Sequence, residues 1–236
     1  MIMVSQLLKR YGNITALDHV SFSFNDGHII AIMGENGAGK STLLKICAGI
    51  LPFDQGEILI DSYSIKNNPL AARGMLGYLP EIPEMYERIT GREFLYYIAS
   101  LRKQADAAER ISTLADSIGI ADALDYEIGG YSKGMKQKIS LLAAIMHMPR
   151  NLLLDEPIYG LDPLAARTVQ EFIKTRNGTT VIATHSTHLV ESIADTVHFL
   201  MHGHVIHSDT TQALLVRFPS IEDAYFHFKD IGSNRT

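Results

Sequence analysis

Hydrophobic and polar positions change period several times along this chain, and each change marks an element. Val20, Phe22 and Phe24 alternate with Ser21 and Ser23, the period-2 pattern of a strand with one buried face. Residues 28–33 (HIIAIM) form a short unbroken apolar run that stops at Gly34, which predicts a strand covered on both faces. Leu43, Leu44, Cys47, Ile50 and Leu51 then fall at helical spacing, and Ile58 and Ile60 share one face of a strand over 57–61. From about residue 90 to 148 the pattern turns helical. Thr90 and Glu93 stand as in a capping box, Asp106 and Glu109 repeat that spacing, and Gly119 supplies a stop. Apolar runs return at 151–155 and 179–185, separated by a helix opening at Asp162-Pro163. A hairpin around His202-Gly203 and a final helix complete the pattern. Buried strands alternating with helices predict an α/β fold with a mainly parallel sheet, and the helical block in the middle predicts a second lobe.

Composition narrows the class. The chain has 236 residues, 46% apolar, with 21 Lys+Arg against 26 Asp+Glu and a net charge of −5. Disorder is excluded by the apolar content and low charge. A disulfide framework is excluded because Cys47 is the single cysteine. The mildly acidic balance offers no electrostatic footprint for nucleic acid. The longest apolar stretch, 139–148, is about half the roughly 20 residues that span a bilayer, and the amino terminus lacks the features of a leader. The expected location is cytoplasmic, with any membrane role exercised through a partner.

Gly34-Glu35-Asn36-Gly37-Ala38-Gly39-Lys40-Ser41 matches GxxxxGK[ST] between a buried strand and an amphipathic helix. Glycines let the backbone curl so that successive N–H groups face phosphate oxygens, and the helix dipole adds to them. Lys40 is expected to reach the β- and γ-phosphates and the Ser41 hydroxyl to ligate Mg²⁺, with Thr42 completing the phosphate contacts. LLLDEP (152–157) brings Asp155 and Glu156 to the end of an apolar strand. There Asp155 is placed to hold the metal shell and Glu156 to polarise a water. Nucleoside triphosphate hydrolysis is the chemistry these residues predict.

With those motifs in hand, the sequence resembles the nucleotide-binding subunit of an ATP-binding-cassette (ABC) transporter from about residue 11 to 207. Tyr11 resembles the family's aromatic that stacks on adenine. YSKGM (131–135) stands where the family has its LSGGQ signature, GLD (160–162) resembles the loop that follows, and His185 resembles the switch histidine. The resemblance implies that Ser132 and Gly134 cradle the γ-phosphate of an ATP held by the other subunit of a head-to-tail dimer. It also implies that His185 bonds the γ-phosphate and orients Glu156. Two spellings depart from the commonest pattern: Lys133 and Met135 replace Gly and Gln, and Glu81 in GYLPE (77–81) stands in place of a glutamine. A carboxylate ligates Mg²⁺ at least as well as an amide, so Glu81 joins Ser41 and Asp155 as a metal candidate. Both spellings are familiar in bacterial exporters of the drug- and antibiotic-resistance type.

The implied architecture is a P-loop NTPase core (1–81 and 146–215) with an N-terminal antiparallel β subdomain. A helical subdomain carrying the signature (82–145) is inserted into it, and a C-terminal tail (216–236) follows. The implied cofactors are ATP and Mg²⁺. The implied partners are a separate transmembrane permease and a second copy of the chain or a paralogous cassette, which would hold it on the inner face of the membrane. The segment 82–90, with exposed-looking Met85 and Tyr86, falls where the family receives its permease. The alternative is a regulatory ATPase module that dimerises on ATP without transporting anything. His198, His202, His204 and His207 cluster near the hairpin, where a solvated turn and zinc ligation are both open; Cys47 is expected to be buried packing.

Overall fold

Continuous apolar runs become the centre of the molecule because both faces of their sheet are covered. The structure, a computed structural model, describes residues 1–233. Its larger sheet contains β3 (Ile29–Met33), β6 (Leu76–Leu79), β7 (Asn151–Asp155), β8 (Thr179–Thr184), β9 (Thr196–Met201) and β10 (His204–Thr210), in the order β10-β9-β3-β8-β7-β6. All neighbours are parallel except β10 on β9. Every residue of β7 and β8 is buried. The smaller, antiparallel sheet is built from β1 (Ile2–Tyr11), β2 (Ile14–Phe24), β4 (Gln55–Ile60) and β5 (Tyr63–Ser64), ordered β2-β1-β4-β5.

The period-2 reading of β2 holds: Val20 and Phe24 are buried while Ser21 and Ser23 are exposed. The two long strands are also bent. Gln6 and His19 adopt positive φ (48° and 50°), the β1–β2 register shifts between Val4 and Leu7, and Ser21 Oγ accepts from the Gln6 backbone N–H at 2.8 Å. Such irregularities add local twist. The buried face meets β3 and α1 (Lys40–Cys47) in one cluster that joins Ile2, Leu7, Leu17 and Phe24 to Ile32, Leu43 and Leu44.

Helix α1 is shorter than its apolar spacing predicts. It ends at Cys47, with Gly49 at φ 70°, Gly49 N–H bonded to Ile46 O (2.9 Å) and Ile50 N–H to Lys45 O (2.9 Å). This paired closure leaves Ile50 57% exposed instead of on the buried face. Cys47 is buried, and burial pushes its thiol up to about 12, which makes it packing material.

The inserted lobe comprises α3 (Gly91–Leu101), α4 (Ala107–Ile118) and α5 (Lys133–Ile145), preceded by the short α2 (Pro69–Gly74). At α3 the capping box forms, with Thr90 Oγ1 accepting from Glu93 N–H (3.1 Å) and Glu93 accepting from Thr90 N–H (2.8 Å). Asp106 has the same spacing yet makes no cap bond. Its φ/ψ of −98°/39° lacks the extended geometry in which a cap side chain reaches back to the helix. Gly119 ends α4 at φ 68° as expected. The lobe shares its core with the sheet: Leu95, Ile111, Ile118 and Ile139 are continuous with Leu152, Leu154 and Ile182. Met85, expected to be exposed, packs against this core, whereas Ile82 and Tyr86 are exposed.

The chain closes with α6 (Pro163–Thr175), α7 (Thr187–Ile193), α8 (Thr211–Arg217) and α9 (Ile221–Ser233). Asp162 caps α6 through Ala165 N–H (2.9 Å). The β9–β10 hairpin turns on His202 and Gly203 alone, both at positive φ (48° and 78°), the two-residue geometry that matches strand twist. His202 therefore sits in the turn, off the strand face proposed for zinc. The other histidines separate: His198 meets Ser208 Oγ at 2.6 Å, His204 approaches Asp18, and His207 stacks on Phe228 at 3.6 Å. Helix α9 packs Ile221, Ala224 and Tyr225 onto Phe199 and Val197. No helix among the described residues is long and apolar enough to cross a membrane.

Gly77 is where the inserted lobe meets β6, and a Cβ there would lie 2.2 Å from the Ala144 carbonyl oxygen. Gly77→Ala is expected to lower unfolding free energy by about 1–3 kcal/mol, as overpacking does. Gly74→Ala, with open space around it, is expected to be neutral or mildly stabilising. Denaturant unfolding of both variants checks the contrast, and equal midpoints would contradict the packing argument.

Candidate nucleotide site

The phosphate loop leaves β3 at its carboxyl edge and is held from behind. Gly34 lies so close to β9 that a Cβ would meet the Leu200 carbonyl oxygen at 2.2 Å. Gly203 N–H donates to the Ala38 carbonyl (3.0 Å), so the β9–β10 turn pins the loop. Gly37 and Gly39 take φ of 82° and 108°, and a side chain at Gly39 would strike the Ala16 carbonyl. Such a curl aims backbone N–H groups at one point, the requirement for an anion cradle. The N-terminus of α1, which starts at Lys40 itself, adds its dipole.

Asn36, Gly37, Gly39, Lys40, Ser41, Thr42, Glu81, Glu156 and His185 line one cleft of about 380 Å³. Lys40 is buried and its Nζ donates to the Gly34 (2.7 Å) and Glu35 (3.1 Å) carbonyls. Burial pushes its ammonium below the ordinary lysine range, opposed by the carboxylates of Glu156, Asp155 and Glu81. Asp155 ends β7 with no exposure. One carboxylate oxygen, Oδ1, accepts from the Ser41 hydroxyl (3.1 Å), while the buried Oδ2 finds no donor among the described residues. Burial, helped by the nearby charges of Glu81 and Glu156 and opposed by the Ser41 hydrogen bond and Lys45, brings its pKa up to about 6.

Glu156 holds the tightest geometry. It is 7% exposed with φ 48°, a left-handed conformation that costs a non-glycine residue about 1–3 kcal/mol. Three donors hold its carboxylate: the Thr184 hydroxyl (2.9 Å), the His185 backbone N–H (3.0 Å) and His185 Nδ1 (2.7 Å). A carboxylate only accepts, so Nδ1 carries the proton in that contact and Nε2 is left for another partner.

Several expected residues lie outside this cleft. Tyr11 sits at the tip of the β1–β2 hairpin, 47% exposed, with Lys9 Nζ 4.9 Å from its ring. The Glu35 carboxylate is engaged by Lys229 of α9. Ser132 and Gly134 line a separate hollow of about 490 Å³ at the start of α5, where Ser132 caps Met135 N–H (3.2 Å). That turn is anchored by Tyr131, whose hydroxyl donates to the Ala123 carbonyl at 2.5 Å and whose ring occupies the space a Gly91 side chain would need. One chain therefore does not bring Ser132 and Gly134 to its own phosphate loop. The sequence reading missed Ala16 and Tyr159, which line the cleft, and Thr184, which bonds Glu156. Thr184 directly precedes the histidine at a strand end, a position from which its role was recoverable.

Comparison with known proteins identifies the family. The family profile described as ABC transporter matches residues 17–159. The bacitracin transport ATP-binding protein of Enterococcus faecalis is 32% identical over 87% of this chain and 68% of its own length. A solved ATP-binding subunit of an ABC transporter superposes with a TM-score of 0.89 at 29% identity, covering 97% of this chain and 99% of the other. A dimeric ATP-binding cassette solved in a post-hydrolysis state with ADP and phosphate shares the fold at 20% identity, with a TM-score of 0.83 over 89% and 99% of the two chains. The chain belongs to the ABC transporter family, as one of its ATP-binding, ATP-hydrolysing subunits.

Proposed function

We propose that this chain powers export through a separate membrane permease, working as one of two cassettes that sandwich ATP head to tail. The observation that carries the dimer is the split site: the hydrolytic pair Glu156–His185 faces the phosphate loop, whereas Ser132 and Gly134 line a different hollow. A second cassette, either another copy or a paralogue, places its signature over the first one's γ-phosphate. Export rests on likeness to the bacitracin transport relative and on the YSKGM and GYLPE spellings. The permease would hold the chain on the inner membrane face.

In this reading the backbone of residues 34–42 cradles the phosphates, Lys40 turns from the Gly34 and Glu35 carbonyls to the β- and γ-phosphates, and Tyr11 stacks on adenine. Glu156 accepts a proton from the attacking water as the water oxygen bonds to the γ-phosphorus and the bond from that phosphorus to the β–γ bridging oxygen breaks, with ADP as the leaving group. His185, bonded to Glu156 through Nδ1, presents Nε2 toward the γ-phosphate. The site also fits a hard divalent cation. Asp155 Oδ2 is buried without a donor among the described residues, and the charges of Asp155, Glu81 and Glu156 converge on one another. No three His, Cys, Asp or Glu residues among those described form a ready-made cage. This suits Mg²⁺, which takes one or two carboxylates and completes its shell with phosphates and water. Ser41 and Asp155 would hold it, with Glu81 at the open side; Mg²⁺ there would neutralise phosphate charge as a Lewis acid.

Glu156→Gln is expected to lower ATP turnover by about a hundredfold or more while ATP binding persists, so that an ATP-bound dimer accumulates in size-exclusion chromatography. Turnover at the wild-type rate would remove Glu156 from its role. Asp155→Asn is expected to stabilise the nucleotide-free chain. Because the folded carboxyl titrates near 6 and the unfolded one near 4, the folded state binds more protons between those values. Its ionised form therefore destabilises the fold increasingly as pH rises through that window. The gain, about 2–3 kcal/mol above pH ~6, should vanish near pH 4 in thermal unfolding; a gain independent of pH would contradict the buried-charge account. A tagged copy recovered in mild detergent from its own membranes should bring a stoichiometric multi-spanning protein. Recovery of soluble companions only would favour the regulatory ATPase.

A further inference from the structure

Lys133 is the signature residue that departs most in chemistry from the family spelling, and the structure gives its side chain a place. The Lys133 ammonium lies 3.9 Å from the centroid of the Tyr159 ring. Its stem crosses Gly160, where a Cβ would meet Lys133 Nζ at 2.9 Å and its Cδ and Cε at 3.0 Å. Gly160 is therefore needed twice, for its φ of 73° and for the bare backbone on which the lysine rests. Tyr159 in turn lines the nucleotide cleft and meets the His185 imidazole edge to face, with centroids 6.1 Å apart and planes at 65°.

The contacts at His185 call for such support. Its side chain is 52% exposed and one ring atom is fixed, by the Nδ1 contact to Glu156. One hydrogen bond sets the distance and leaves the ring plane free to pivot about it; a second contact on the ring removes that freedom. Tyr159 is itself 49% exposed, so its rotamer needs an anchor, and a cation over its face supplies one.

We infer that Tyr159 is a positioning residue that fixes the His185 ring against Glu156, and that Lys133 holds Tyr159 in place, tying the start of the signature helix to the hydrolytic pair of the same chain. The inference rests on Glu156 and His185 being that pair. Lys133 acts through Tyr159 and touches no reacting atom of its own chain's site.

The test is steady-state ATPase kinetics of the purified full chain, in a double-mutant cycle with conservative rescue. Tyr159→Leu is expected to lower kcat by about five- to tenfold with KM changed by less than about twofold, since orientation acts on the transition state and not on nucleotide binding. Tyr159→Phe, which keeps the ring, recovers most of that loss. Lys133→Met is expected to lower kcat by about two- to fivefold, the range an exposed cation–π contact spans. It should cost nothing more in a Tyr159→Leu background, and Lys133→Arg should recover the loss. A Tyr159→Leu chain with wild-type kcat, a loss confined to KM, or two losses that multiply would each overturn the inference. His185→Ala separates this from the wider reading. If His185→Ala is inactive while Tyr159→Leu turns over normally, the positioning role alone fails; if His185→Ala turns over normally, the hydrolytic pair itself is wrongly assigned.

Discussion

The constraint on which the site depends is a carboxylate with nowhere to discharge. Asp155 stands at the end of a fully buried strand, one oxygen bonded to Ser41 and the other without a donor among the described residues. Glu156 and Glu81 add negative charge nearby, and the neighbouring Lys40 is spent on backbone carbonyls. Burying charge without compensation is expensive, and proteins retain such arrangements at sites that a ligand completes. Here the phosphate loop offers N–H groups to an anion while the acids beside it call for a cation. A nucleoside triphosphate carrying a divalent cation would answer both demands, and the surrounding fold holds these groups in register.

That register is set by elements far apart in the chain. The phosphate loop follows β3, Asp155 closes β7 with Glu156 next to it, and Thr184 closes β8, the strand between them, with His185 next. Parallel neighbours deliver all three loops to the same carboxyl edge, the position where open α/β sheets bind ligands. The β9–β10 turn then braces the loop through Gly203 and Ala38, and α9 engages Glu35 through Lys229. The inserted lobe shares a continuous core with the sheet. The Lys133 ammonium over the Tyr159 ring adds a side-chain contact between the start of α5 and the carboxyl edge of the sheet.

Differences between pattern and structure have local physical causes. Helical spacing through Ile50 and Leu51 did not keep α1 going, because Gly49 closes it with two backbone bonds that no hydrophobic period reports. Thr90 and Asp106 have equivalent spacing to a glutamate, yet only Thr90 has the extended backbone that lets a side chain reach back to its helix. Met85 looks exposed beside Tyr86 in a polar stretch, but the inserted lobe gives it a surface to cover. The histidines near the hairpin share a stretch of sequence and go to different partners, since alternate strand positions face opposite sides and His202 is consumed by the turn.

By itself the sequence determined the strands that build the buried sheet, the glycine loop between strand and helix, the acidic pair closing an apolar run, and the capping box at Thr90. Each depends on interactions within a few residues: apolar period, glycine freedom or a side chain reaching its own backbone. Only the tertiary structure decided that Thr184 holds Glu156, that Glu156 takes a strained left-handed backbone, and that one Asp155 oxygen finds no donor among the described residues. It alone placed Tyr159 between Lys133 and His185. Those features arise where strands distant in sequence end side by side, and a buried charge or a ring edge is defined by its neighbours in space, which no local period encodes.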